Sequence, residues 1–430
     1  MSILDLITLL IFLAAVFTLI NITVLKLPST IGLMAIALMM SLFILIMGYV
    51  FPSVERGAEH IVEEFDFKEV LMGVMLNFLL FAGALSVDLR KLLEERVAVI
   101  ILATVGTLLS TFIVGTLVFY IFPVLGVEID YIYCLLFGAL ISPTDPIAVL
   151  ALIKKFGLSK NLEIKIAGES LFNDGVGVVV FLTILNIAMS MHGGAEGAHG
   201  AHGGGEVTVG GVALLFGQEV IGGVLLGAIF GFLGFRLLNF IDNDHVELEV
   251  LVTLTLVMVG GRIAEFLHVS GPLGMVVMGL FIGNEGRDEK LANATGEYVF
   301  KFWHLLDEAL NAILFILVGL EVIVIANSFS PASILVGVVG ILIVLMARLL
   351  GVSIPIGIMS TYRKFEPKTI AILTWGGLRG GISVALALSL SEFTWIEGSV
   401  KETILFVTYC CVVFSILVQG LTMGLLLKKS

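Results

Sequence analysis

The chain has 430 residues, of which 59% are hydrophobic and only 13% are charged. Its mean hydropathy of +1.13 is too high for a water-soluble globular domain, so the composition predicts a protein embedded in a lipid bilayer. The formal charge of -12 is spread along the chain without a long run of one sign, and nothing favours a nucleic-acid partner.

Thirteen apolar runs are candidate membrane spans, since a spanning helix needs roughly 20 apolar residues. Backbone groups in lipid must be satisfied within the segment, so the predicted fold class is an all-α polytopic membrane protein with about 13 transmembrane helices. The connections are short and leave no room for a nucleotide-hydrolysing domain. The runs lie near residues 4-24, 29-50, 70-87, 97-120, 130-155, 164-189, 209-240, 247-267, 271-283, 300-326, 332-360, 368-390 and 400-427.

Basic residues between the runs predict the orientation. With the amino terminus outside, seventeen loop lysines and arginines fall on one side and only Arg56, Lys68 and Lys401 on the other. The positive-inside rule therefore places the carboxyl terminus in the cytoplasm. We expect a multi-pass protein of the plasma (inner) membrane, whose first run is a retained helix because no basic residue precedes it.

An odd number of spans allows two inverted six-helix repeats on either side of one linking helix. Within a single transmembrane domain (1-430), the first repeat is then 1-189, the linking helix 209-240 and the second repeat 247-427. Span 5 corresponds to span 12 in this arrangement, and span 6 to span 13.

The fifth span contains Ser142-Pro143-Thr144-Asp145-Pro146. Two prolines three residues apart remove backbone donors and clash with the preceding turn, so the helix is predicted to break there. A broken helix inside a membrane persists where it lines a cavity, and its freed carbonyls and the Asp145 carboxylate are suitable ligands for a cation.

The sixth span contains Gly168-Glu169-Ser170-Leu171-Phe172-Asn173-Asp174. Spacing by four places Glu169 above Asn173 and Ser170 above Asp174, so two polar columns are predicted to lie side by side. Ionisable residues at membrane depth are functional candidates by default.

The twelfth span contains Trp375-Gly376-Gly377-Leu378-Arg379-Gly380-Gly381. Its four glycines allow close approach of backbones. A buried Arg379 needs a partner, and we expect a carboxylate from the other half of the protein.

These three motifs, in this order, resemble those of monovalent cation:proton antiporter family 1, which includes the NhaP-type antiporters and the eukaryotic sodium/proton exchangers. Leu80 to Leu85, Asn311 to Phe315 and Ala347 to Gly351 extend the resemblance over most of the chain. It implies an NhaA/NhaP-like fold with crossed broken helices, a homodimer in the bilayer, and a secondary transporter rather than an enzyme, with a part in pH and sodium homeostasis.

The resemblance also implies the roles of individual residues. Asp174 is expected to bind cation and proton in alternation, and Glu169 to pair with Arg379 in a structural ion pair. An asparagine before that aspartate resembles the electroneutral, one-for-one exchangers. The remaining members of the predicted cation and proton site are Thr144, Asp145, Ser170 and Asn173, beside the broken-helix prolines Pro143 and Pro146.

A carboxylate at membrane depth loses the water that stabilises its charge, so a proton and a hard alkali cation compete for its oxygens. If the site can cross the membrane only when a proton or a cation neutralises this carboxylate, the exchange of one for the other is obligatory. Na+ or Li+ is the expected cargo against H+, without a cofactor, and Asp174, Thr144, Asp145 and Ser170 are the expected Na+ ligands. A K+/H+ antiporter, a passive cation channel and an intramembrane aspartyl protease are the alternatives.

Two further signals are given structural interpretations. Residues 192-206 are rich in glycine and histidine and are read as an external linker rather than a metal or pH-sensing site. Glycines 223, 227 and 231 form a stripe that is read as packing within the subunit rather than as a dimer seam.

Overall fold

A computed structural model describes residues 3-51, 75-157, 159-191, 209-240, 245-285, 294-325 and 330-428, with a few isolated positions between 53 and 73. Within these residues the structure is helical and contains no β-strand, which confirms the predicted all-α class. The glycine- and histidine-rich segment 192-206 lies outside the described residues.

Every predicted run contains helix. The first seven helices in chain order are α1 (Ile3–Ile20), α2 (Ser29–Gly48), α3 (Leu76–Ser86), α4 (Leu89–Leu125), α5 (Tyr131–Ile141), α6 (Ile147–Phe156) and α7 (Lys160–Met191). The others are α8 (Val209–Phe240), α9 (Val246–Phe266), α10 (Gly271–Glu285), α11 (Ala294–Leu320), α12 (Pro331–Met359), α13 (Thr369–Trp375), α14 (Gly381–Ser389) and α15 (Gly398–Lys428).

Eight helical stretches in the described residues are long and apolar enough to cross a bilayer, and four shorter apolar helices accompany them. The fifth and twelfth predicted spans are each divided into two half-helices, α5 with α6 and α13 with α14. The division of these two spans creates the site described below.

The helices pack in two groups. Helices α4, α5, α7, α12, α14 and α15 pack mainly against one another, and α1, α2, α3, α8, α9, α10 and α11 form the second group. Helix α7 also contacts α8 and α10, so it lies where the two groups meet.

The glycine stripe of α8 packs inside the chain, as predicted. A Cβ atom at Gly227 would lie 2.3 Å from the carbonyl oxygen of Gly274, and one at Gly223 would lie 2.5 Å from that of Ser270. Side chains would push α8 away from α10, because both obstructing atoms belong to the backbone.

Buried charges fix the beginning of α7 against its neighbours. The Glu95 carboxylate lies 3.6 Å from Nζ of Lys165 and 2.6 Å from Nη2 of Arg363. Glu95 and Lys165 are each 3% exposed. One acidic side chain of α4 therefore links α7 to the segment that leads into α13.

Candidate ion-binding site

The first break follows from the two prolines. Helix α5 ends at Ile141 and α6 begins at Ile147. In a continuous helix the N–H of residue 146 would donate to the carbonyl of Ser142, but Pro146 has no N–H. The carbonyl of Ser142 is therefore freed at membrane depth, where it needs another donor.

Arg379 supplies that donor. Its Nη1 lies 2.5 Å from the Ser142 oxygen and 3.0 Å from that of Pro143. A cation at the carboxyl end of α5 also complements the negative end of the helix dipole. The N–H of Ile147 donates to Oδ1 of Asp145 at 2.9 Å, which satisfies the first free N–H of α6.

The second break is supported in the same way. Between α13 and α14, the carbonyl of Leu373 accepts from Nε and Nη2 of Arg348 at 3.2 and 3.0 Å. The Trp375 carbonyl accepts from Nε2 of Gln419 at 3.1 Å. The N–H of Arg379 donates to Oγ of Ser415 at 2.8 Å. Three side chains thus replace bonds that a continuous helix would have made.

The two breaks contact each other through their backbones. The N–H of Asp145 donates to the carbonyl oxygen of Leu378 at 2.7 Å, as an isolated antiparallel bridge. Gly380 permits this approach, because a Cβ atom there would lie 2.9 Å from Cβ of Asp145. The glycines of the twelfth span therefore serve the close contact that the sequence predicted.

Helix α7 holds the first break from the other side. The Ser170 hydroxyl donates to the carbonyl oxygen of Thr144. Nδ2 of Asn173 donates to Oγ1 of Thr144 at 2.9 Å, and Oδ1 of Asn173 accepts from the Thr144 N–H at 3.3 Å. The Asn173 amide is thus occupied in positioning the break.

The predicted ion pair between Glu169 and Arg379 is wrong. Glu169 binds Arg348 instead, with Nη1 2.5 Å from Oε1 and Nη2 3.1 Å from Oε2. The physical reason is that Arg379 is held by the carbonyls that the prolines free, while Arg348 reaches Glu169 and Leu373 together. Of the two polar columns predicted on α7, Ser170 and Asp174 line the same cavity, whereas Glu169 binds Arg348 and Asn173 binds Thr144.

One cavity of about 440 Å³ collects the acidic residues of the site. Asp145 and Asp174 both line it and both are half-buried. Thr144, Ser170, Pro143 and Pro146 line it as well, whereas Asn173 acts through its bonds to Thr144. The structure therefore brings together all the residues predicted to form the site.

The cavity is also lined by a residue that the sequence analysis did not select. Asp307 on α11 lines the cavity together with His304, Asn311 and Leu314. These residues recur every three or four positions, so the helical period of α11 was the signal that could have identified Asp307. Among the described residues, no three His, Cys, Asp or Glu side chains converge as a metal-binding cluster.

Two interrupted helices that cross beside an acid-lined cavity define an integral membrane protein built like a secondary transporter. The chain belongs to the sodium/hydrogen exchanger family, whose transmembrane family model matches residues 10–429. This confirms the family that the sequence motifs indicated.

Similar proteins cover almost the whole chain. The Na(+)/H(+) antiporter NhaP of Pseudomonas aeruginosa is 45% identical over 99% of this chain and 96% of its own length. The Na(+)/H(+) antiporter NhaH of Halobacillus dabanensis is 31% identical over 94% of this chain and 92% of its own length. The structure of the sodium proton antiporter MjNhaP1 from Methanocaldococcus jannaschii at pH 8 has a TM-score of 0.77 at 19% identity, covers 100% of this chain and 99% of that one, and shows the shared fold.

Proposed function

We propose that this protein is a secondary antiporter that exchanges Na+ for H+ across the membrane, one for one. The observation that carries the proposal is the position of Asp145 and Asp174 in one cavity where two interrupted helices cross. The relatives named Na(+)/H(+) antiporters, which match the chain over almost its full length, support it.

The chemistry of the lining suits a hard monovalent cation. Asp174 supplies carboxylate oxygens. Oδ1 of Asp145 already accepts the N–H of Ile147, which leaves Oδ2 of Asp145 available to coordinate a cation. The Ser170 hydroxyl donates its proton to the carbonyl oxygen of Thr144, so the lone pairs of the Ser170 oxygen remain available to coordinate a cation. Oxygen ligands of this kind favour Na+ or Li+ over softer metals.

Competition for Asp174 couples the two fluxes. A carboxylate carried through the low-dielectric region is strongly disfavoured unless a proton or a cation neutralises it. The Asp174 carboxylate can therefore cross when it holds a proton or a cation, and it cannot cross when it holds neither. Asn173 supports the exchange of one cation for one proton, because its uncharged amide adds no second titratable group. The amide is bonded to Thr144 through both its oxygen and its nitrogen.

Alternating access follows from the two helix groups. We propose that spans 4-6 and 11-13 form a core that moves against spans 1-3 and 8-10, in a homodimer of the plasma membrane with the carboxyl terminus in the cytoplasm. Breaks in spans 5 and 12, held by polar residues of spans 6 and 13, support the inverted repeats.

Lys154 lines the cavity with a side chain that is 67% exposed, so the cavity opens toward the side assigned to the cytoplasm. The structural pair of this mechanism is Glu169 with Arg348.

The test is exchange in proteoliposomes that hold a pH-sensitive dye. Adding Na+ outside acid-loaded vesicles should drive proton efflux, and Li+ and K+ are added separately to rank selectivity. Asp174→Asn should abolish exchange, whereas Asp130→Asn, at the exposed start of α5, should preserve it. The Na+ concentration for half-maximal rate should rise as the proton concentration rises, since both ligands use one site.

Three outcomes contradict the proposal. Exchange that survives in Asp174→Asn removes the carboxylate from the mechanism. Cation flux without proton movement shows a channel. Exchange driven by K+ and not by Na+ shows a K+/H+ antiporter of the same fold.

A further inference from the structure

Helix α11 carries one face into the cavity that the two aspartates of the proposed site also line. His304, Asp307, Asn311 and Leu314 lie on this face, and their exposure falls along the helix. The His304 side chain is 70% exposed, Asp307 is half-buried, and Asn311 and Leu314 are 6% and 3% exposed. The cavity therefore deepens along α11, and Asp307 stands one helical turn inside its mouth.

The Asp307 carboxylate is held in place by Asn311, and His304 is the basic side chain whose charge acts on it. Nδ2 of Asn311 donates to its Oδ1 at 3.0 Å and to its backbone oxygen at 2.9 Å. His304, the nearest basic side chain on the same face, lies 3.8 Å from Glu308. Lys154, across the cavity, lies 3.4 Å from Glu163.

The charge of Asp307 also acts on one carboxylate of the proposed site. It interacts electrostatically with Asp145, which belongs to the other helix group. No cluster of three acidic side chains close enough to hold one ion is found in the described residues. The position thus fits a field along the path of the ion better than a ligand at its final site.

We propose that Asp307 recruits the cation: it attracts Na+ at the cavity mouth and raises its concentration beside Asp145 and Asp174. This proposal rests on the proposed exchange function. Because α11 belongs to the helix group that we assign to the scaffold, Asp307 would remain at the mouth while the core moves. It would therefore act on cation entry rather than accompany the ion.

Asp307→Asn tests the proposal with little change in shape, since an asparagine oxygen can still accept from Asn311. In reconstituted vesicles at alkaline pH and low ionic strength, the Na+ concentration for half-maximal rate should increase roughly three- to tenfold, from the loss of one partly screened charge. The maximal rate should change by less than about twofold, because the ligands at Asp174 are intact. Asp307→Glu should restore the wild-type value.

Ionic strength distinguishes recruitment from a packing role. The Debye length falls from about 30 Å at 0.01 M salt to about 3 Å at 1 M, so impermeant choline salt should remove most of the difference between wild type and Asp307→Asn. Glu308→Gln is the matched control, because Glu308 is the next residue of α11 and does not line the cavity. Its side chain is 66% exposed and well screened by water, so Glu308→Gln should shift the half-maximal Na+ concentration by less than Asp307→Asn does.

The proposal is overturned if Asp307→Asn keeps the wild-type half-maximal concentration, or if its increase is the same at high salt. Complete loss of exchange would also overturn it, since Asp307 would then be a required ligand. Wild-type vesicles without Na+-driven proton movement would instead refute the exchange function itself. The two failures are therefore distinguishable.

Discussion

The partner of Glu169 can be established by a double-mutant cycle. The perturbations are Glu169→Gln, Arg348→Gln and Arg379→Gln, singly and in the two pairs that contain Glu169. The structure places two hydrogen bonds between Glu169 and Arg348, and the Glu169 side chain is 2% exposed. Glu169 and Arg348 should therefore be strongly coupled, whereas Glu169 and Arg379 should not.

The magnitude follows from distance and burial. Unit charges about 4 Å apart attract by about 4 kcal/mol at an effective dielectric constant of 20, part of which desolvation offsets. We expect a coupling free energy of about 2 to 3 kcal/mol for Glu169 with Arg348, and less than half of that, about 1 kcal/mol, for Glu169 with Arg379. Arg348→Gln alone should be the most damaging change, since it also removes both donors to Leu373.

The assay is the free energy of unfolding in mixed detergent micelles, followed by tryptophan fluorescence, with proton exchange measured on the same preparations. The reasoning fails if the Glu169 and Arg379 pair shows the larger coupling. It also fails if all three single changes leave the unfolding free energy within about 0.5 kcal/mol of wild type, the scatter expected for surface positions.

Three further predictions use contacts described above. Gly380→Ala should slow exchange at least roughly tenfold, because its Cβ would lie 2.9 Å from that of Asp145 and displace the break, whereas Gly398→Ala, with no atom nearby, should exchange at the wild-type rate. Gly227→Ala should lower the free energy of unfolding by about 1 to 3 kcal/mol, and an unchanged value relative to Gly217→Ala would contradict the packing of α8 on α10. Glu95→Gln should lower it by about 3 to 5 kcal/mol in the same denaturation assay, because Lys165 keeps its charge in a buried site; a loss below about 1 kcal/mol would show that water reaches that lysine.

The first break was predictable because its cause is local. Pro146 lacks the donor that Ser142 requires, and this holds whatever surrounds the helix. The second break was less evident, since glycines permit an interruption without requiring one. Arg348, Ser415 and Gln419 stabilise it together with the backbone of Asp145, and all four residues come from other parts of the chain.

The choice between two buried arginines could not be read from the sequence. Both Arg348 and Arg379 lie at membrane depth, and helical spacing says nothing about which one faces Glu169. The outcome depends on how α7, α12 and the two breaks pack. Asp307 was missed for a different reason: it lies near the beginning of a predicted span, where acidic residues are common at the membrane surface.

The contact between Asp145 and Leu378 joins two main-chain groups, so replacing either of these two side chains by any residue other than proline leaves the donor and the acceptor in place. An engineer who wishes to alter ion preference can therefore vary Asp307, whose side chain is bonded to Asn311, whereas changes at Thr144 or Ser170 would remove bonds that hold the first break. The same hydrogen bond limits motion, because the two breaks cannot slide past each other without separating the Asp145 N–H from its acceptor. Redesign of selectivity and redesign of the conformational cycle are thus separable tasks in this protein.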